Sequence, residues 1–317
     1  MVIEKDFWVC WTLERLFTLP GLAEYLLFKG GTSLSKVYGV IQRFSEDIDL
    51  SLSRSFLGEG LADPEQAANN TQRKQRSEAL VATFHAAVTE RLLPVLRNAI
   101  AEQLGEENKT EDSWTLMQDA TDPGTLHFAY PRAAAGATTY ICPEVTIELD
   151  GRSDDWPAEN RIVTAYVAEE LPQIMPASII VRVLAARRAF WEKATILHAE
   201  YHRPLGKATG EHLSRHYSDL AQMAGTEVEA QALADLTLLA RVATHKEAFY
   251  TAPWASYETA KLGTLRLVPR PEPLAGLRTD YRGMGPMFFG PALPFDDVTG
   301  RIAAWRSGST RSRHDFL

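Results

Sequence analysis

The chain has 317 residues, 45% of them hydrophobic and 23% charged, with 20 Gly, 17 Pro and two Cys. At roughly 150 residues per domain that length admits about two domains, and the composition excludes a disordered chain, a collagen-like repeat and a small disulfide scaffold. The net charge of −8 excludes a protein that coats nucleic acid by bulk charge. The charge is nevertheless uneven, because residues 261–317 hold nine basic against five acidic residues, which leaves −12 in the first 260.

In chain order, residues 1–18 read as a helix with Phe7, Trp8, Trp11, Leu13, Leu16 and Phe17 on a broad apolar face, ended by Pro20-Gly21. An element from Leu22 to Phe28 stops at Gly30-Gly31. Ser33 to Ile41 then reads as a short helix entered through Thr32, a good capping residue. Asp47 to Leu52 alternates polar and apolar residues as a half-buried strand does. Residues 53–76 read as loop, and Glu78 to Gln103 as a long helix followed by a polar stretch through Asp119. The segments Leu126–Tyr130, Thr138–Ile141 and Val145–Leu149 read as strands, and the pattern is helical from about Tyr166 to Tyr250. Pro269 to Pro273 has the composition of a surface linker.

Cys10 and Cys142 both have apolar neighbours and read as two buried free thiols. Glu4, Lys5 and Asp6 near the start, with no sustained apolar core behind them, argue against a secretory leader. The apolar stretch Pro176 to Ala186 is interrupted by Arg182 and too short to span a bilayer. A cytoplasmic chain without a membrane partner is the expectation.

The chemistry concentrates in Lys29-Gly-Gly-Thr-Ser-Leu-Ser-Lys36 and Arg43-Phe-Ser-Glu-Asp-Ile-Asp-Leu50. Gly30 and Gly31 permit a tight turn and close approach of backbone to a ligand. Amides after them form an anion site, to which Thr32 and Ser33 add hydroxyls. In a strand Asp47 and Asp49 point the same way. Two carboxylates that close are unfavourable without a cation between them, and Mg²⁺ binds through one or two carboxylates plus substrate phosphates. Glu144, Glu148 and Asp150 share one face of a later strand, and any of them can supply a third carboxylate.

These segments, together with Glu4-Lys-Asp-Phe-Trp-Val9, Glu148-Leu-Asp-Gly-Arg-Ser-Asp154, Phe190-Trp-Glu-Lys193, Ser214-Arg-His-Tyr-Ser-Asp-Leu220 and Asp280-Tyr-Arg-Gly-Met284, resemble the AbiEii/AbiGii nucleotidyltransferase toxins, close in kind to the MenT toxins. The resemblance implies an α+β, polymerase-β-like nucleotidyltransferase domain with a small mixed sheet, expected over residues 1–165. A mostly helical domain is expected over 166–317. It implies transfer of a nucleoside monophosphate from an NTP to an acceptor hydroxyl, with Mg²⁺ held by Asp47, Asp49 and Glu148. Lys193 is then the triphosphate-contacting lysine, and Asp219 orients it or contacts the nucleotide. Lys29, Gly30, Gly31, Thr32, Ser33, Lys36, Ser45 and Arg152 line the nucleotide. Ser45 shares the strand phase of the aspartates, so a phosphate there would block NTP binding. The implied partners are an RNA acceptor, foremost the 3′ end of tRNA, and a cognate antitoxin such as an AbiEi-like regulator. A small-molecule or protein hydroxyl as acceptor, and a silent NTP-binding partner, are the competing readings.

Overall fold

A computed structural model describes residues 2–108, 113–132, 142–171, 178–210 and 212–311; the strand expected at 138–141 lies outside them. The chain divides into two compact units. One comprises residues 1–38 and 45–184, the other residues 39–44 and 185–317.

The first unit is built on one seven-stranded mixed sheet. In chain order its elements are α1 (Val2–Thr18), β1 (Leu26–Lys29), α2 (Gly30–Lys36), β2 (Ile48–Leu52), α3 (Arg54–Leu57), α4 (Asn70–Ala87), α5 (Leu93–Leu104), β3 (Thr115–Gln118), β4 (Thr125–Ala129), β5 (Glu144–Asp150), β6 (Ala158–Thr164), α6 (Tyr166–Glu170) and β7 (Ser178–Leu184). The sheet order is β3-β4-β5-β2-β1-β7-β6. β2 runs parallel to β5 and β1 parallel to β7, and the remaining pairs are antiparallel. Phe28, Leu50, Ile147 and Val183 share one face of the central strands and are fully buried there. α1 lays Val9, Leu13 and Leu16 on the sheet, and Trp8 and Trp11 stack on Tyr130 and Phe128 at 5.4 and 5.7 Å.

α4 and α5 are joined by one π turn, Val88–Leu92. Pro94 follows that turn; lacking an N–H, it cannot close an ordinary helical bond there. The run Asn70–Leu104 is long and apolar enough to cross a membrane by length and composition. Here its Leu80, Phe84, Leu92, Leu96 and Ile100 are buried in the unit's core, while Glu90 and Arg91 face outward.

The second unit is helical: α7 (Ala186–His202), α8 (Ser214–Met223), α9 (Glu227–Ala234), α10 (Leu236–Phe249), α11 (Leu274–Gly283) and α12 (Phe295–Arg311). α7 packs on α8, α9 and α10, and α8 also receives α11 and α12. Phe190 and Trp191 are fully buried, and the Trp191 indole N–H donates to the Ala232 carbonyl at 3.1 Å, fastening α7 to α9. His198, also buried, accepts the Arg266 amide on Nδ1 at 3.0 Å, so its Nε2 donates to the Ser256 carbonyl. Residues 39–44 join this unit by pairing with the segment around Phe288, through Phe44 N to the Met287 carbonyl and Phe289 N to the Gln42 carbonyl.

Several expectations change. The helical run read from Tyr166 is broken by β7, and β6 beside it had no sequence signal. The first short helix begins at Gly30, so Thr32 lies inside it instead of capping it. Helix α4 starts at Asn70, capped by the Asn69 side chain, inside the stretch read as loop. Cys10 is buried as expected, but Cys142 is exposed.

Candidate active site

Three strands deliver the chemistry of the first unit. Lys29 on β1 is the register partner of Asp49 on β2, and Asp49 is the partner of Glu148 on β5. Directly paired residues share a face and neighbouring strands lie about 4.8 Å apart. One cross-strand row thus presents a lysine and two carboxylates, while the adjacent row, Phe28, Leu50 and Leu149, turns into the core. The site inherits its rigidity from that apolar row.

The glycine turn is shaped around Asp49. Gly30 has φ +77°, the left-handed region that favours glycine. A Cβ built there would lie 1.8 Å from Asp49 Oδ2 and 2.7 Å from Asp49 Cβ. Only a residue without a side chain lets the start of α2 sit against that carboxylate. Gly31 follows within α2. The hydroxyls after it face inward: Thr32 Oγ1 donates to the Asp47 carbonyl at 2.5 Å, and Ser33 Oγ donates to the Gly30 carbonyl at 2.9 Å. Both residues are buried. The Thr32 hydroxyl ties the turn to the strand entry, and the Ser33 hydroxyl closes the turn on itself.

The three acidic residues of β5 have separate surroundings. Glu144 meets His127 Nδ1 at 3.2 Å. Asp150 accepts from the Arg152 amide at 2.8 Å and from Arg152 Nε at 3.1 Å, and Lys29 Nζ stands 3.9 Å away. Lys29 also donates to Ser153 Oγ at 2.9 Å. Lys29 and Arg152 are therefore gathered at Asp150. Glu148 is exposed and is the member aligned with Asp49.

Lys36 is placed elsewhere. Its side chain is 3% exposed, and its ammonium lies 2.6 Å from Asp6 Oδ1 and 3.4 Å from the centre of the Tyr166 ring. Burial pushes the Asp6 carboxyl up, and the Lys36 ammonium only partly offsets it. Ser45 is half-buried, just before the Asp47 loop.

Among the described residues no three His, Cys, Asp or Glu side chains form a ready-made metal cage. Mg²⁺ does not require one, since it takes one or two carboxylates and completes its shell with substrate phosphates and water. The Asp49–Glu148 alignment, Asp47 two residues earlier and the close approach that the bare Gly30 allows fit such an ion.

The second unit holds the other predicted pair. Lys193 on α7 donates to Asp219 Oδ2 on α8 at 2.7 Å. Asp219 has no exposed surface and also receives a bidentate contact from Arg43, Nε to Oδ1 at 2.8 Å and Nη2 to Oδ2 at 2.9 Å. Burial pushes the Asp219 carboxyl up, but the Arg43 and Lys193 cations override it and hold it well below the usual carboxylate range. Burial also lowers the Lys193 ammonium; Asp219 opposes that shift, while Arg43 and Arg215 reinforce it. The same desolvation, with Lys193 and Arg215 nearby, holds His216 far down and neutral. Arg43 is the residue to which the sequence alone assigns no role. Its only signal is its place in the motif, four residues before Asp47.

A family model described as "Nucleotidyl transferase AbiEii toxin, Type IV TA system" matches residues 11–301. No curated protein matches. Among solved structures, MenT4, a nucleotidyltransferase toxin from Mycobacterium tuberculosis H37Rv, is similar at 14% identity and a TM-score of 0.45, over 97% of this chain and 90% of that one. With 291 consecutive residues matched by the family model, this chain belongs to the AbiEii family of nucleotidyltransferase toxins of type IV toxin–antitoxin systems.

Proposed function

We propose that this toxin transfers a nucleoside monophosphate from an NTP to an RNA acceptor, the 3′ end of tRNA, and so stops translation in the cytoplasm, with a cognate antitoxin as its regulatory partner. The observation that carries the chemistry is the Asp49 carboxylate, aligned with Glu148 and packed against Gly30, where any Cβ would collide with it. Asp47, Asp49 and Glu148 would hold Mg²⁺, which supplies charge stabilisation for the triphosphate and the attacking hydroxyl. The protein's own part is positioning. Gly30 and Gly31 let the backbone approach the nucleotide, and Lys29 and Arg152 offer cations beside Asp150. Glu148, exposed and in register with Asp49, suits a metal ligand or a base for the acceptor hydroxyl. Lys193 contacts the triphosphate, and its 2.7 Å bond to a carboxylate already locked by Arg43 supports Asp219 as the group that orients it.

The test is incubation with each labelled NTP, Mg²⁺ and total tRNA. Label is expected at the tRNA 3′ end with the wild type and is expected to vanish in Asp49→Ala and Lys193→Met. No transfer with any NTP, or equal transfer by Asp49→Ala, would overturn the reading.

A further inference from the structure

We propose that Lys5 is a positioning residue for the carboxylates of the nucleotidyl-transfer sheet: from the first turn of α1 its ammonium clamps the entry of β2 to the entry of β5. The Lys5 side chain is 2% exposed, and Nζ donates to Glu46 Oε2 at 2.5 Å and to the Cys142 carbonyl at 3.1 Å. Glu46 immediately precedes Asp47, and Cys142 stands two residues before β5 begins. Because β2 and β5 are parallel, their entries lie at the same end of the sheet. A clamp at that end sets the stagger of the two strands, and the stagger is what aligns Asp49 with Glu148.

The next residue anchors the clamp. Asp6, 1% exposed, holds Lys36 at the last turn of α2 at 2.6 Å and accepts the Tyr166 amide at 2.6 Å. One dipeptide of opposite charges therefore grips the end of the glycine helix, the approach to Asp47, the approach to Glu148 and the start of α6. A buried ion pair is a poor source of net stability, because desolvation offsets most of its attraction. It is a good source of fixed geometry, since ammonium and carboxylate have satisfactory partners in one arrangement only. Groups bonded directly to metal ligands weaken metal affinity by about 10–100-fold when lost; Lys5 acts through Glu46, one residue from Asp47, so the lower end of that range is expected.

This inference rests on the metal-dependent reading above, and its test separates the two. Mn²⁺ binding to the full-length protein, with α,β-methylene analogues of the four NTPs, is measured by electron paramagnetic resonance for wild type, Lys5→Met, Lys5→Arg, Glu46→Gln and Asp49→Asn. Hydrogen–deuterium exchange of residues 46–49 and 144–148 is followed without ligand. Lys5→Met and Glu46→Gln are expected to weaken Mn²⁺ about tenfold and to speed exchange in those two segments, and Lys5→Arg to restore part of both. A folded Lys5→Met or Glu46→Gln protein with wild-type Mn²⁺ affinity and wild-type exchange overturns the clamp. Wild type indistinguishable from Asp49→Asn in Mn²⁺ binding overturns the metal-site reading instead, while exchange still reports on the clamp. Glu46→Gln removes the charge but keeps a side-chain oxygen able to accept from the Lys5 ammonium, so it decides between clamp and no clamp if Lys5→Met does not fold.

Discussion

Gly30 shows how one side chain can be excluded by another. Two independent constraints meet there, a left-handed φ of +77° and an Asp49 carboxylate in the space a Cβ would fill. Either constraint costs an alanine about 1 kcal/mol or more. The second also moves the reactive group, because the colliding atoms run from Asp49 Oδ2 back to its Cβ. A displacement of about 1 Å at a reacting centre can cost about 10²-fold in rate. Gly30→Ala is therefore expected to lower kcat by about 10²-fold while leaving a cooperative melting transition a few degrees lower; steady-state label transfer and calorimetry check it. The glycine pair and the aspartates are legible in the sequence because their residue types are rare in that spacing. The Thr32 and Ser33 hydroxyls are less informative for a physical reason: a hydroxyl satisfies a backbone carbonyl as readily as a phosphate, and here they meet the Asp47 and Gly30 carbonyls. Arg43 is illegible for another reason, since its partner Asp219 is 176 residues away.

At the level of elements, legibility follows amphipathicity. α1 and β5 each bury one face, and β2 alternates polar and apolar residues in sequence although Ser51 is buried too, so their periodicity announces them. β7 also buries one face, but its exposed Ile180 is as apolar as its buried neighbours, so the run Ile179, Ile180, Val181 reads equally well as a buried helix. β6 carries Glu159, Asn160 and Arg161 on the sheet edge, where polar residues guard against further pairing and erase the alternation. The strand assignment has a sharp consequence at two adjacent residues. Ile180 is 68% exposed and Val181 fully buried, an opposition that a period of two demands. Val181→Thr places a hydroxyl in the core and is expected to destabilise by about 1–3 kcal/mol. Ile180→Thr should stay within about 0.5 kcal/mol of wild type. Urea unfolding of both variants measures the difference, and equal costs would contradict the strand.

Across the whole molecule the net charge of −8 conceals two populations. Part of the acidity serves the carboxylates of the sheet, where negative charge suits a cation, and the basic excess lies after residue 260. Among the described residues of that region, Lys261, Arg266, Arg282 and Arg301 are exposed, whereas Arg278 is paired with Asp296 at 2.8 Å. If RNA is the acceptor, these are the cations able to neutralise its phosphates, and each phosphate neutralised releases counterions. The affinity for tRNA should then fall with salt, with a log–log slope of magnitude about 3 for four such contacts. Charge reversal at Arg282 or Arg301 should reduce that slope by about 1 each. Lys74→Glu, on α4 and 78% exposed, makes the same change in net charge away from the basic region and should leave the slope nearly unaltered. Filter binding between about 50 and 200 mM salt measures the slopes of the wild type and of each variant. A flat salt dependence would remove RNA as the acceptor. Equal effects of Lys74→Glu and Arg301→Glu would mean that total charge, and not its placement after residue 260, governs the encounter.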